Sequence, residues 1–172
     1  MDMRDHTIQG FLAGLIGSMA EMFFTLTMYY GFGLTKYRFM DFAGAINFNQ
    51  MPDNLLVAVI AESIVYVFCG FLGVVFVMML KVLSSQNIVL KGALFGILYW
   101  FLINAFVTAF RVEGLYPTNF VTSTVHLIGG LIYGAITAYA YTYLAKEYKQ
   151  ASVNLIPQPV MKPLDKENQN EK

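Results

Sequence analysis

The stretch LLVAVIAESIVYVFCGFLGVVFVMML, residues 55–80, contains one charged side chain, Glu62. A bilayer core about 30 Å thick is crossed by about 20 apolar residues in helical form, because lipid leaves every backbone amide to be satisfied within its own segment. Residues 55–80 therefore read as a transmembrane helix. Working outward, three further stretches meet the same requirement, at 8–34, 89–110 and 121–145. The expected fold is all-α, an integral membrane bundle of four transmembrane helices. Composition agrees: 57% of the 172 residues are hydrophobic and 13% charged, more apolar than the roughly 45–50% of a soluble domain.

The formal net charge is zero and the basic residues are scattered, so the electrostatic footprint of a nucleic-acid-binding protein is missing. Their placement does carry orientation. Arg4, Lys81, Lys91, Lys146 and Lys149 fall at one set of helix ends, with Lys162, Lys166 and Lys172 beyond them, against Lys36, Arg38 and Arg111 on the other side. Short loops rich in Lys and Arg stay in the cytoplasm, so both termini are expected there, residues 1–7 as a short leader and 146–172 as a mostly disordered tail. The first apolar run is too long for a secretory signal and lacks its cleavage site. The expected location is a bacterial inner or plasma membrane.

Between the first two spans, residues 35–54 include RFMDFAGAINF, apolar enough for a short helix in the headgroup layer, with a plain folded loop as the alternative. The turn at Ser84, Ser85, Gln86 and Asn87 is tight, which predicts that the second and third spans are neighbours. Gly10 and Gly14 open the first span as GxxxG, and Gly92 and Gly96 open the third. Gly17, Gly130 and Gly134 extend the set of small residues that let helices approach closely. Arg38 to Asp41 is echoed by Arg111 to Glu113, Pro52 by Pro117, and Glu62 by His126. The pattern suggests one helical hairpin used twice; chance recurrence of Gly and Pro at helix starts and turns is its rival.

Glu21, Glu62, Asn104 and His126 are the polar residues that stand out within these spans. Steps of three and four residues put Glu21 on a stripe with Gly10, Gly14, Gly17 and Thr25, Glu62 with Tyr66, Cys69 and Gly73, and His126 with Gly130, Tyr133 and Thr137. Trp100, Asn104 and Thr108 share a face of the third span. Ionisable groups avoid lipid, so these stripes should face the interior. A rise of about 1.5 Å per residue places the four polar side chains at one depth. Two readings remain. In one they form a hydrogen-bonded lock between helices; in the other they bind a proton, a cation or a polar small molecule. Their spacing fits no HExxH or paired Glu-x-x-His metal motif, so no metal or other cofactor is expected. Cys69 is a buried small hydrophobe, and the methionines are packing filler.

Thr35 to Ala43, the Gly92–Gly96–Trp100–Phe101 spacing and Ile132-Tyr-Gly-Ala resemble small four-span membrane proteins of Gram-positive bacteria, the YqhR-like group. That resemblance implies the fold and a membrane location and carries over no functional residue. With no catalytic motif present, the expectation is a non-enzymatic membrane subunit or scaffold. It would self-associate or bind a membrane-protein partner through its GxxxG faces. The alternative is a small transporter or channel component using Glu21, Glu62 and His126.

Overall fold

Four helices long and apolar enough to cross a membrane form the protein, and a computed structural model describes residues 3–82 and 86–155. Helix α1 (Met3–Leu26) widens into a π turn over Thr27–Gly31, α2 (Phe39–Phe48) is short, and α3 (Leu55–Val82), α4 (Ile88–Phe110) and α5 (Phe120–Leu155) complete the chain. It is an all-helical membrane protein, and both described ends lie on one side of the bundle.

Lipid supplies no hydrophobic force to press helices together, so close packing depends on small residues. Gly10 and Gly14 of α1 lie directly against the backbone of α3 at Cys69, Gly70 and Gly73. A Cβ on Gly10 would stand 3.1 Å from the carbonyl oxygen of Gly73, and one on Gly14 would overlap the carbonyl of Cys69. The same device closes the second hairpin: Gly92 meets Gly134, and Gly96 meets Gly130, backbone to backbone. Gly17 then joins the hairpins by lying against Tyr133 and Thr137 of α5. All seven glycines singled out from sequence thus pack within the chain.

The order around the bundle is α3, α1, α5, α4, and the fourth side is open. Helices α3 and α4, joined by the short turn, do not pack backbone to backbone; they meet through side chains, Phe76 against Phe95 with ring centroids 5.4 Å apart and Phe68 against Tyr99 at 6.2 Å. Their glycines are turned toward α1 and α5, and the faces they turn toward each other carry bulky Phe, Leu, Val and Met side chains.

Helix α2 packs on α3 at the end of the bundle opposite the chain termini. The loop at 35–54 does form a helix, but α2 enters the protein rather than resting on headgroups, burying Asp41, Phe42, Ala43, Gly44 and Ala45. Asp41 fixes its start. The carboxylate accepts the Arg38 backbone N–H at 2.6 Å and the Arg38 guanidinium at 2.8 Å, an N-terminal brace of the capping-box kind. Arg38 also donates to the Tyr30 hydroxyl at 3.2 Å and to the Pro52 carbonyl at 3.3 Å. Bonding to Asp41 raises the guanidinium pKa above its already high ordinary value, so Arg38 stays charged at any relevant pH. Asn49 ends the helix in the left-handed region at φ 50°, a conformation Asn tolerates better than most residues.

Helix α5 runs to Leu155, past the expected span end at 145, because Ala145 to Ala151 is rich in good helix formers. The rest of the expected disordered tail, 156–172, lies outside the described residues, as do residues 83–85 of the turn.

Two outcomes follow for stability. Gly96→Ala should lower it by about 1–3 kcal/mol through overpacking, whereas Gly31→Ala, whose added methyl would lie 3.8 Å from the nearest side-chain atom, should leave it unchanged. Thermal unfolding in detergent measures both. Asp41→Ala should strip residues 39–48 of amide-exchange protection while the glycine-packed spans keep theirs; retained protection of α2 would contradict the bracing role.

Candidate functional site

Glu21 lies about five helical turns into α1, beyond the glycines that pin it to α3, and turns toward α5. It is 2% exposed. A Cβ on Gly129 of α5 would lie 3.4 Å from Glu21 Oε1 and 3.6 Å from Thr25 Oγ1, so Gly129 leaves room for the carboxyl. His126, one turn earlier on α5, is also 2% exposed. Its Nε2 lies 3.2 Å from the Tyr37 carbonyl and 3.4 Å from Thr35 Oγ1, which ties the ring to the segment leading into α2. Phe42 meets the imidazole edge-on at 5.1 Å between centroids, and Phe39 lies at 6.0 Å.

These groups surround one small cavity of about 10 Å³, lined by Glu21, Phe39, Phe42, Tyr99, Trp100, Ile103, Asn104 and His126. That is the scale of a single water molecule. Glu21 Oε1, Trp100 Nε1 and His126 Nδ1 are buried and have no hydrogen-bond partner. Each such group costs about 1–3 kcal/mol if nothing satisfies it. Together they present a carboxyl oxygen, an obligate N–H donor and an imidazole nitrogen that can donate or accept. Asn104 contributes differently: its amide donates to the Trp100 carbonyl at 3.1 Å, which steadies the α4 wall.

Of the four polar residues expected to meet, the structure brings Glu21, Asn104 and His126 to this cavity. Glu62 does not line it. It is partly buried on α3 and interacts electrostatically with Glu21 and with Arg38 and Asp41. No direct hydrogen bond joins any two of these four among the described residues, so they do not form a directly bonded lock. The stripe on α4 is also only partly internal, since Thr108 is exposed. Tyr133, by contrast, is fully buried and donates to the Cys69 carbonyl at 2.8 Å, tying α5 to α3 beneath the cavity.

Sequence reasoning missed Phe39, Phe42, Tyr99 and the Tyr37 carbonyl. Phe39 and Phe42 are three apart on α2, the spacing of one helical face, but nothing local says that this face turns inward. Trp100 stood on the right stripe without a role. No three residues among His, Cys, Asp and Glu gather as metal ligands within the described residues.

No curated protein and no solved structure matches the chain. A family model described as a family of unknown function, DUF6789, matches residues 4–152, which takes in all five helices almost completely. This chain, with four helices long and apolar enough to cross a membrane, therefore belongs to DUF6789, a family of unknown function.

Proposed function

We propose that this membrane protein binds and passes protons, with Glu21 and His126 as the exchanging groups across the buried cavity. The observation that carries the reading is that three residues lining one cavity of about 10 Å³, Glu21, Trp100 and His126, each keep a buried side-chain atom without a hydrogen-bond partner. An ionisable residue inside a membrane span is expensive to retain, about 2.5–3.5 kcal/mol for a charge near the bilayer centre on insertion scales. A structural lock would recover that cost through direct bonds, and the geometry supplies none. A carboxyl and an imidazole facing one water-sized space can hand a proton between them through that water, while the Trp100 N–H orients its oxygen. Glu62 extends the set of interacting charges toward α2, because it interacts electrostatically with Glu21 and with Arg38 and Asp41. A proton is favoured over a cation, since the Trp100 N–H in the wall is a donor only and cannot ligate a metal ion. In the orientation that the basic residues suggest, α2 faces away from the cytoplasm, so a proton route along these residues would open to the outside.

Purified protein in liposomes should carry a proton flux under an imposed pH gradient. Glu21→Gln and His126→Ala should each reduce that flux at least tenfold with the helical fold retained by circular dichroism. Infrared titration should show a protonated-carboxyl band in the wild type that is lost in Glu21→Gln. Unchanged flux in folded Glu21→Gln protein, or no carboxyl band assignable to Glu21, would overturn the reading.

A further inference from the structure

Between α3 and α4, on the open side of the bundle, lies a groove of about 630 Å³. One wall is an α3 stripe, Ile64, Phe68, Leu72, Val75 and Met79; the other is an α4 stripe, Phe95, Leu98, Leu102 and Phe106. Spacings of three and four residues put each set on one helical face; the two helices touch at Phe76 against Phe95, 5.4 Å between ring centroids, and at Phe68 against Tyr99, 6.2 Å, and leave the groove open around these contacts. Helix α2 closes one end with Ile46 and Asn47. Asn47 is the one amide in the lining, and its side chain is turned back onto the Ala43 carbonyl at 2.9 Å.

We infer that this groove is a binding site for one acyl chain of a bilayer phospholipid, entering sideways between α3 and α4. Access argues for it first. Both walls belong to membrane-spanning helices, so hydrocarbon chains reach the groove from the side. Shape argues next. From Ile64 to Met79 the groove extends about 22 Å at a rise of about 1.5 Å per residue, and its volume spread over that length gives a mean width of roughly 6 Å. A hydrocarbon chain fits that width at carbon contacts of about 4 Å. A helix does not: a cylinder about 10 Å across and about 22 Å long fills about 1,700 Å³, so a helix from a second copy can rest on the mouth but cannot occupy the groove.

The way the helices are built argues last. At the α1–α3, α4–α5 and α1–α5 crossings a glycine lies against the neighbouring backbone, and the α3–α4 side has none. Val75, Leu98 and Leu102 remain 45%, 47% and 59% exposed there, beside the aromatic contacts between the two helices. An acyl chain covers these side chains and fills the groove. This site is independent of the proton site, although Phe39, Phe42, Tyr99 and Ile103 stand in the walls of both.

The test is photo-crosslinking of the full chain in phosphatidylglycerol–phosphatidylethanolamine vesicles doped with phosphatidylglycerol carrying a diazirine on one acyl chain. Mapped adducts should concentrate on Leu72, Val75, Leu98 and Leu102, at least fivefold above Val67, which is exposed on α3 outside the groove. Filling the groove with Val75→Trp and Leu102→Trp should reduce labelling of the remaining groove residues about fivefold and leave Val67 labelling unchanged. Even labelling around α3 in the wild type, or no labelling of Leu72 and Leu98, would overturn the site. The wild-type map decides the question even if the tryptophan variant fails to fold.

Discussion

Direct backbone contact at glycine is the constraint on which the rest of this structure depends. Lipid tails are as apolar as Leu or Phe, so two apolar helix faces gain little by leaving lipid for each other. Removing the Cβ lets the backbones approach, as at Gly10 against Gly73 and at Gly92 against Gly134. Each hairpin closes through its own glycines, and Gly17 joins the hairpins at α5. Each helix has only so many small faces. Once α3 has committed Gly70 and Gly73 to α1, and α4 has committed Gly92 and Gly96 to α5, bulky side chains remain on their facing surfaces and that side stays open.

The polar site follows from the same arrangement. The stripe carrying Gly10, Gly14 and Gly17 continues to Glu21, so the contact that brings α1 against α5 also carries a carboxyl into the interior. Gly129 leaves it space. From the other end, α2 sets Phe39 and Phe42 over His126 and shields the imidazole, while the Arg38–Asp41 brace holds α2 in place. Glycine packing from one side and an aromatic cover from the other leave a space of about one water between a carboxyl and an imidazole.

Much of this was legible in the sequence because it depends on local periodicity. Runs of apolar residues gave the spans, and steps of three and four residues put the glycines, Glu21 and His126 on interior stripes. Counting the rise per residue put Glu21, Asn104 and His126 at one depth, and they share a cavity. Angular position was harder to read. Glu62 is at the right height but does not line the cavity, because Cys69 and Gly73 decide which face of α3 meets α1. The tight turn made α3 and α4 neighbours, but connection length limits only how far apart two helix ends can be, and their flanks meet through aromatic side chains rather than through closely packed backbones. The inward turn of α2 depends on Phe42 finding His126 from 84 residues away in sequence, which no local pattern encodes.

Magic-angle-spinning NMR of the labelled protein in lipid bilayers tests the central claim most directly. Cross-peaks between Gly10 and Gly73 and between Gly92 and Gly134 should appear, and none should connect Leu72 with Leu98 across the open side. Absence of the glycine pairs, or a strong contact between Leu72 and Leu98, would contradict the packing from which both the buried site and the groove arise.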